Sequence, residues 1–167
     1  MNRACVTVLC ACVLVTASCR MSDGPLPDAK ADDGPNQVGD LARDLGNVAA
    51  GHEEARQDFI EDLMVFVDFE DTPNAEAPIK ALGQQMMDIM VATKASEAAV
   101  VPLLEQVYVA LNARQLSENQ VKALQDGAQS AAAQLGVDDV KARALGAQVG
   151  IVQQAVTERH RRWYEVF

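Results

Sequence analysis

Aromatic residues are scarce: one Trp, two Tyr and four Phe in 167 residues. They do not cluster with β-branched residues, and no stretch alternates apolar and polar side chains long enough to make a strand. A sheet fold is therefore not expected. Histidine is rarer still, with only His52 and His160, so few bases are available to activate a nucleophile. No Gly-x-Ser-x-Gly turn, phosphate loop, dinucleotide fingerprint or Cys-x-x-Cys-His string occurs. Cations are outnumbered, with 14 Lys and Arg against 24 Asp and Glu and a formal net charge of −10. Such a chain repels phosphate backbones, so nucleic acid is not an expected partner.

The metal-like strings are incomplete. His52-Glu53-Glu54 lacks the second His of a zinc helix. Asp68-x-Glu70-x-Thr72 has calcium-loop spacing, but Pro73 stands where Gly is required and Ile79 where Glu must close the loop. Met86, Met87 and Met90 fall within about one helical turn, and His52 is expected on an apolar helix stripe. Thioether and imidazole together suit Cu(I), which makes His52, Met86 and Met90 the weak metal candidates. The preferred reading is plainer: Met fills irregular gaps in a core, and a stripe histidine needs one polar partner. No catalytic residue and no cofactor is implied, and the chain is expected not to be an enzyme.

No long apolar run is present either. The longest, Val6–Val15, is too short for a transmembrane helix, which needs about 20 residues. It follows Arg3 and precedes small residues, the layout of a secretory leader. Thr16-Ala17-Ser18-Cys19 at its end resembles the lipobox of bacterial lipoproteins, with Thr16 where Leu is commonest. The resemblance covers residues 1–19. It implies cleavage after Ser18, a signal peptide 1–18 and lipidation of Cys19. Cys5, Cys10 and Cys12 would leave with the leader, so Cys19 would be the one cysteine kept and no internal disulfide could form. Arg20, rather than Asp, implies the periplasmic face of an outer membrane. The partners expected are the membrane, through covalent lipid, and an envelope protein or a second copy.

Residues 19–37 hold three prolines, two glycines and four aspartates. That composition buries too little to offset the entropy of ordering, so a flexible tether is expected. From Val38 the pattern turns helical. Val38, Leu41, Leu45, Val48, His52, Ala55 and Phe59 recur at spacings of three and four, and Ile60, Leu63, Phe66 and Val67 continue the stripe. Thr72-Pro73-Asn74 ends it. Ile79, Leu82, Met86, Ile89, Thr93, Val100, Leu104, Val107 and Leu111 make a second stripe with Pro102 inside it, so one long helix kinks there or Lys94–Val101 breaks it into two, and the preserved phase favours the kink. A third holds Val121, Leu124, Ala128, Ala131 and Leu135, capped by Ser117 and Gln120 and stopped by Gly136. A fourth, capped by Asp138, holds Val140, Ala144, Ala147, Ile151 and Ala155. The expected fold is an all-α antiparallel bundle of about four helices: 38–70, 76–113 kinked at Pro102, 117–135 and 138–165. A single helical domain, 38–167, follows the tether. The alanine-rich stripes imply close helix approach and a thin core, which dimerisation would thicken.

The C-terminal Arg159-His160-Arg161-Arg162-Trp163-Tyr164 suits a helix dipole; a contact with anionic lipid, glycan or an acidic partner is the other reading. Leu116-Ser117-x-x-Gln120 is similar to the Leu-Thr-x-x-Gln motif of small helical periplasmic proteins related to the Spy chaperone. That resemblance implies a periplasmic chaperone or a metal-responsive envelope stress protein. The leading expectation remains a lipid-anchored envelope protein with a helical interaction module.

Overall fold

Helix boundaries follow from a few local devices. The computed structural model describes residues 34–67, 72, 74–113 and 115–164, without the side chains of 34–36 and 158–164. Cys19, the expected leader and nearly all of the expected tether lie outside the described residues. Among the described residues there are six helices and no strand: α1 Gly34–Ala50, α2 Glu54–Val65, α3 Glu76–Thr93, α4 Glu97–Asn112, α5 Glu118–Gln134 and α6 Asp139–Tyr164. The all-α expectation holds, but two of the four expected helices are each divided.

The first division falls at Gly51. Its φ of 94° lies in the left-handed region, and its N–H donates to the Val48 carbonyl at 3.0 Å. The His52 N–H reaches back to the Asn47 carbonyl at 3.0 Å. These two bonds make a Schellman ending, which glycine adopts without a Cβ penalty. The apolar stripe runs through the break in phase, so spacing alone reads as one helix. The observed end comes before the expected one at 70: α2 stops at Val65. The start is early too, because α1 begins at Gly34, inside the expected tether. Pro35 sits in its first turn, where a missing N–H has no intrahelical acceptor to lose.

The second division falls at Lys94–Ser96, not at Pro102. Lys94 is left-handed with φ 53°, and its ammonium donates to the Ala49 carbonyl at the end of α1, 2.9 Å away. Ser96 restarts the chain by capping Ala99 N–H. Pro102 lies within α4 with both it and Ala98 exposed, so water can satisfy the carbonyl that proline leaves unbonded.

The later helices start as expected. Ser117 N–H donates to Gln120 Oε1 at 3.0 Å, and Gln120 N–H donates to Ser117 Oγ at 3.3 Å. This reciprocal pair is a capping box. Asp138 Oδ1 accepts from Lys141 N–H at 2.9 Å, a bond that holds the Asp138 carboxyl below its usual range. Gly136, with φ 88°, closes α5.

α1, α3, α6 and α4 close a ring in which each helix packs on two neighbours. α2 lies on the α1–α3 edge and α5 on the α4–α6 edge. The chain thus builds two helix triplets, α1–α2–α3 and α4–α5–α6, joined through α1 on α4 and α3 on α6. Leu41, Leu45, Phe59, Leu63, Ile79, Leu82, Met86, Met90, Leu104 and Leu124 are buried to within 1% in the shared core. Phe66 meets Tyr108 edge to face, with centroids 5.5 Å apart. Each fully buried side chain of this size contributes about 1.5–3 kcal/mol.

The expected face of α6 is corrected. Val140 and Ile151 are exposed at 69% and 50%, and Ala144 and Ala147 are exposed as well. The buried face is Ala142, Leu145, Val149, Val152 and Val156. Both faces have helical spacing. The larger side chains of the second, and two glycines beside them, decide the outcome. Gly146 lies under the backbone carbonyl of Gln125, where a Cβ would stand 2.6 Å from that oxygen, and Gly150 is covered by the Gln125 amide. Gln153, 3% exposed, donates from Nε2 to the Ala113 carbonyl at 2.8 Å and so ties α6 to the end of α4.

The two glycines should respond differently to alanine. Gly146→Ala drives a Cβ into backbone that cannot swing aside; overpacking of about 1–3 kcal/mol should exceed the gain in helix propensity of about 1 kcal/mol. Gly150→Ala meets only a mobile amide, so its stability should match or slightly exceed that of the parent. Urea unfolding of both variants measures the difference; equal midpoints would show that the α5–α6 approach is looser than described.

Candidate functional site

The residues singled out from the sequence do not converge. His52 is exposed in the α1–α2 turn, off the apolar stripe where it was expected. Met86 and Met90 of α3 have no exposure and serve the core. The imidazole stands at the surface and the thioethers in the interior, so the structure does not present them as one ligand set. Among the described residues no group of three His, Cys, Asp or Glu side chains is arranged to hold a metal ion. Ser117 and Gln120 form the capping box at the start of α5, and Leu116, partly buried, packs against the core. Cys19 and Arg159–Tyr164 fall where no side chain is described.

One cluster escaped the sequence reading. Asp44 of α1 is half-buried and faces Asp62 and Asp58 of α2. Burial raises the Asp44 carboxyl above its ordinary value, and the charge of Asp62, a hydrogen bond shared with it, and the charge of Asp58 add to the effect; Arg43 opposes it. These positions are 14 and 18 residues apart in sequence, and only the tight turn at Gly51 brings them together. Glu53, Glu54, Asp58, Glu61 and Asp62 are all exposed.

No family model matches the chain, and no curated protein or solved structure matches it either. The reading of its surface therefore rests on geometry.

The most distinctive surface lies along α6. Its outer face carries Val140, Ala144, Ala147 and Ile151, with a groove on each side. The groove against α5 is about 900 Å³ and is lined by Leu116, Val121, Gln125, Asp126, Arg143, Gly146 and Gly150 among others. The groove against α3 is about 290 Å³, between Ile89 and Ala92 on one wall and Val137, Lys141 and Ala144 on the other. Small side chains along the ridge keep both grooves open. Shape and apolar surface suit them to holding another helix or an extended segment. Among the described residues no helix is long and apolar enough to cross a membrane.

The Asp44 cluster gives a pH signature. A carboxyl whose folded pKa exceeds its unfolded value binds its proton more tightly when folded. Its contribution to stability is therefore present in full below the unfolded value of 3.8 and is lost as pH rises through the raised value. Asp44→Asn removes the repulsion at neutral pH. The variant should melt at a higher temperature than the parent at pH 7, and the gap should close as pH falls towards 4. A constant gap across that range would show that charge at Asp44 is not its source.

Proposed function

We propose that the chain is an exported lipoprotein, held by acyl chains on Cys19 and presenting its helical domain as an interaction module on the periplasmic face of an outer membrane. The observation that carries this reading is Thr16-Ala17-Ser18-Cys19 at the end of the apolar run, with Cys19 as the one cysteine beyond it. Two acyl chains give the durable attachment that one does not, since each buried CH₂ contributes about 0.8 kcal/mol.

The rest of the chain agrees with that role. The Pro- and Asp-rich segment after Cys19 suits a spacer, and a net charge of −10 disfavours direct contact with anionic head groups. An exposed apolar ridge flanked by two grooves favours binding over catalysis. The alternative, a Spy-like chaperone or metal-responsive stress protein, draws less support. Its five-residue string is a helix cap, and Met86 and Met90 are core residues.

Protein purified from its own host should begin at Cys19 and exceed its polypeptide mass by at least two acyl chains. Cys19→Ser should move it from the detergent phase to the aqueous phase on phase partition. A free thiol at residue 19, or an intact Met1, would overturn the proposal.

A further inference from the structure

We propose that the outer face of α6 pairs with the same face of a second copy, the two helices running antiparallel. The inference goes beyond the lipoprotein reading and does not require the anchor.

The first observation is the pattern. Val140, Ala144, Ala147 and Ile151 are separated by four, three and four residues, the spacing of a coiled-coil seam. All four are exposed, while the opposite side of α6 is buried in its own bundle. One helix thus carries two apolar faces, and among the described residues only one has a partner.

The second observation is self-complementarity. Laid antiparallel about an axis near Leu145 and Gly146, the seam sets Val140 against Ile151 of the second copy and Ala144 against Ala147 of the second copy. Large meets large at the two ends and small meets small at the centre, as a two-fold contact requires. The same register sets Lys141 opposite Gln148 and Arg143 opposite Gly150, so no like charges face each other. Parallel pairing would instead bring both copies of Asp138 and Asp139 to one end.

Charge selects the occupant. In a chain of net charge −10, the stretch Val140–Thr157 contains no carboxylate, and its only charges are Lys141 and Arg143. Two acidic copies can approach along this face with the least repulsion. Arg143 and Asp126 both line the α5–α6 groove, as does Gly150. In the antiparallel register, Arg143 of one copy comes over the α5–α6 groove at Gly150 of the other, where the Gln125 side chain covers the glycine and Asp126 is the next residue on α5. It is thereby led to the exposed Asp126 on the α5 wall. Asp126 and Lys122 of one copy are within 3.4 Å of each other, so the incoming guanidinium would join an existing charged pair.

The test is the oligomeric state of the full chain in a non-ionic detergent, by sedimentation equilibrium from the low micromolar range to about a millimolar. The polypeptide mass should rise with concentration towards twice that of one chain. Ile151→Glu and Val140→Glu should each weaken association at least about ten-fold while leaving thermal unfolding of the dilute protein unchanged, because both positions are exposed in one copy. Arg143→Glu and Asp126→Arg should each weaken it, and the two together should restore it. A monomer at every concentration, or a dimer indifferent to Ile151→Glu, would overturn the pairing. Loss in both charge variants without rescue in the pair would overturn the antiparallel register.

Discussion

The close approach of α6 to α5 at Gly146 governs much of this structure. A backbone carbonyl, that of Gln125, sits where any larger residue would place its Cβ. This contact fixes the rotation of α6 about its own axis. With that rotation set, Leu145, Val149, Val152 and Val156 turn inward and complete the core against α3 and α4. Val140 and Ile151 turn outward with equal necessity. The apolar ridge and its two grooves are thus consequences of a packing choice made on the other side of the same helix.

The bundle has no cross-link among its described residues to fall back on, and its ion pairs contribute little. Arg43–Asp40, Arg56–Glu53, Lys80–Glu76, Lys122–Asp126 and Lys141–Asp138 each span one helical turn at the surface, where such pairs are worth a few tenths of a kcal/mol. Stability comes from burial in the four-helix ring and from well-made helix ends. The excess of carboxylates is partly absorbed at those ends: Glu54, Glu76, Glu97, Glu118 and Asp139 stand in first turns, where the helix dipole favours negative charge. Acidity and helical stability are compatible here because the acids sit where helices accept them. The crowding of Asp44 with Asp58 and Asp62 is the exception, where α1 and α2 fold back on each other.

The proposed role and the fold fit through physical separation. In that role a spacer would keep the acidic domain away from acidic lipid, and the longest stretch of the domain free of carboxylates, 140–157, lies along α6. Membrane attachment would also raise the effective concentration of copies relative to one another, so a modest seam on α6 could operate at the membrane while remaining weak in dilute solution. The two proposed features lie towards opposite ends of the chain and would be linked only through that confinement.

The sequence by itself determined that the chain is helical, where α5 and α6 begin, and most of the core: Leu41, Leu45, Phe59, Leu82, Leu104 and Leu124 are legible from spacing because burial imposes a period near 3.6 on any helix. Caps at Ser117 and Asp138 are legible for a similar reason, since they are local hydrogen bonds between near neighbours. The break at Gly51 was hidden because the apolar phase continues across it, the same continuity favoured a kink at Pro102 over the break at Lys94, and the Asp44 cluster was hidden because its members meet only after the chain reverses. Which face of α6 is buried was decided by the tertiary structure alone. Both faces carry the helical period, and the choice between them depends on how closely α5 approaches, a distance that no local pattern encodes.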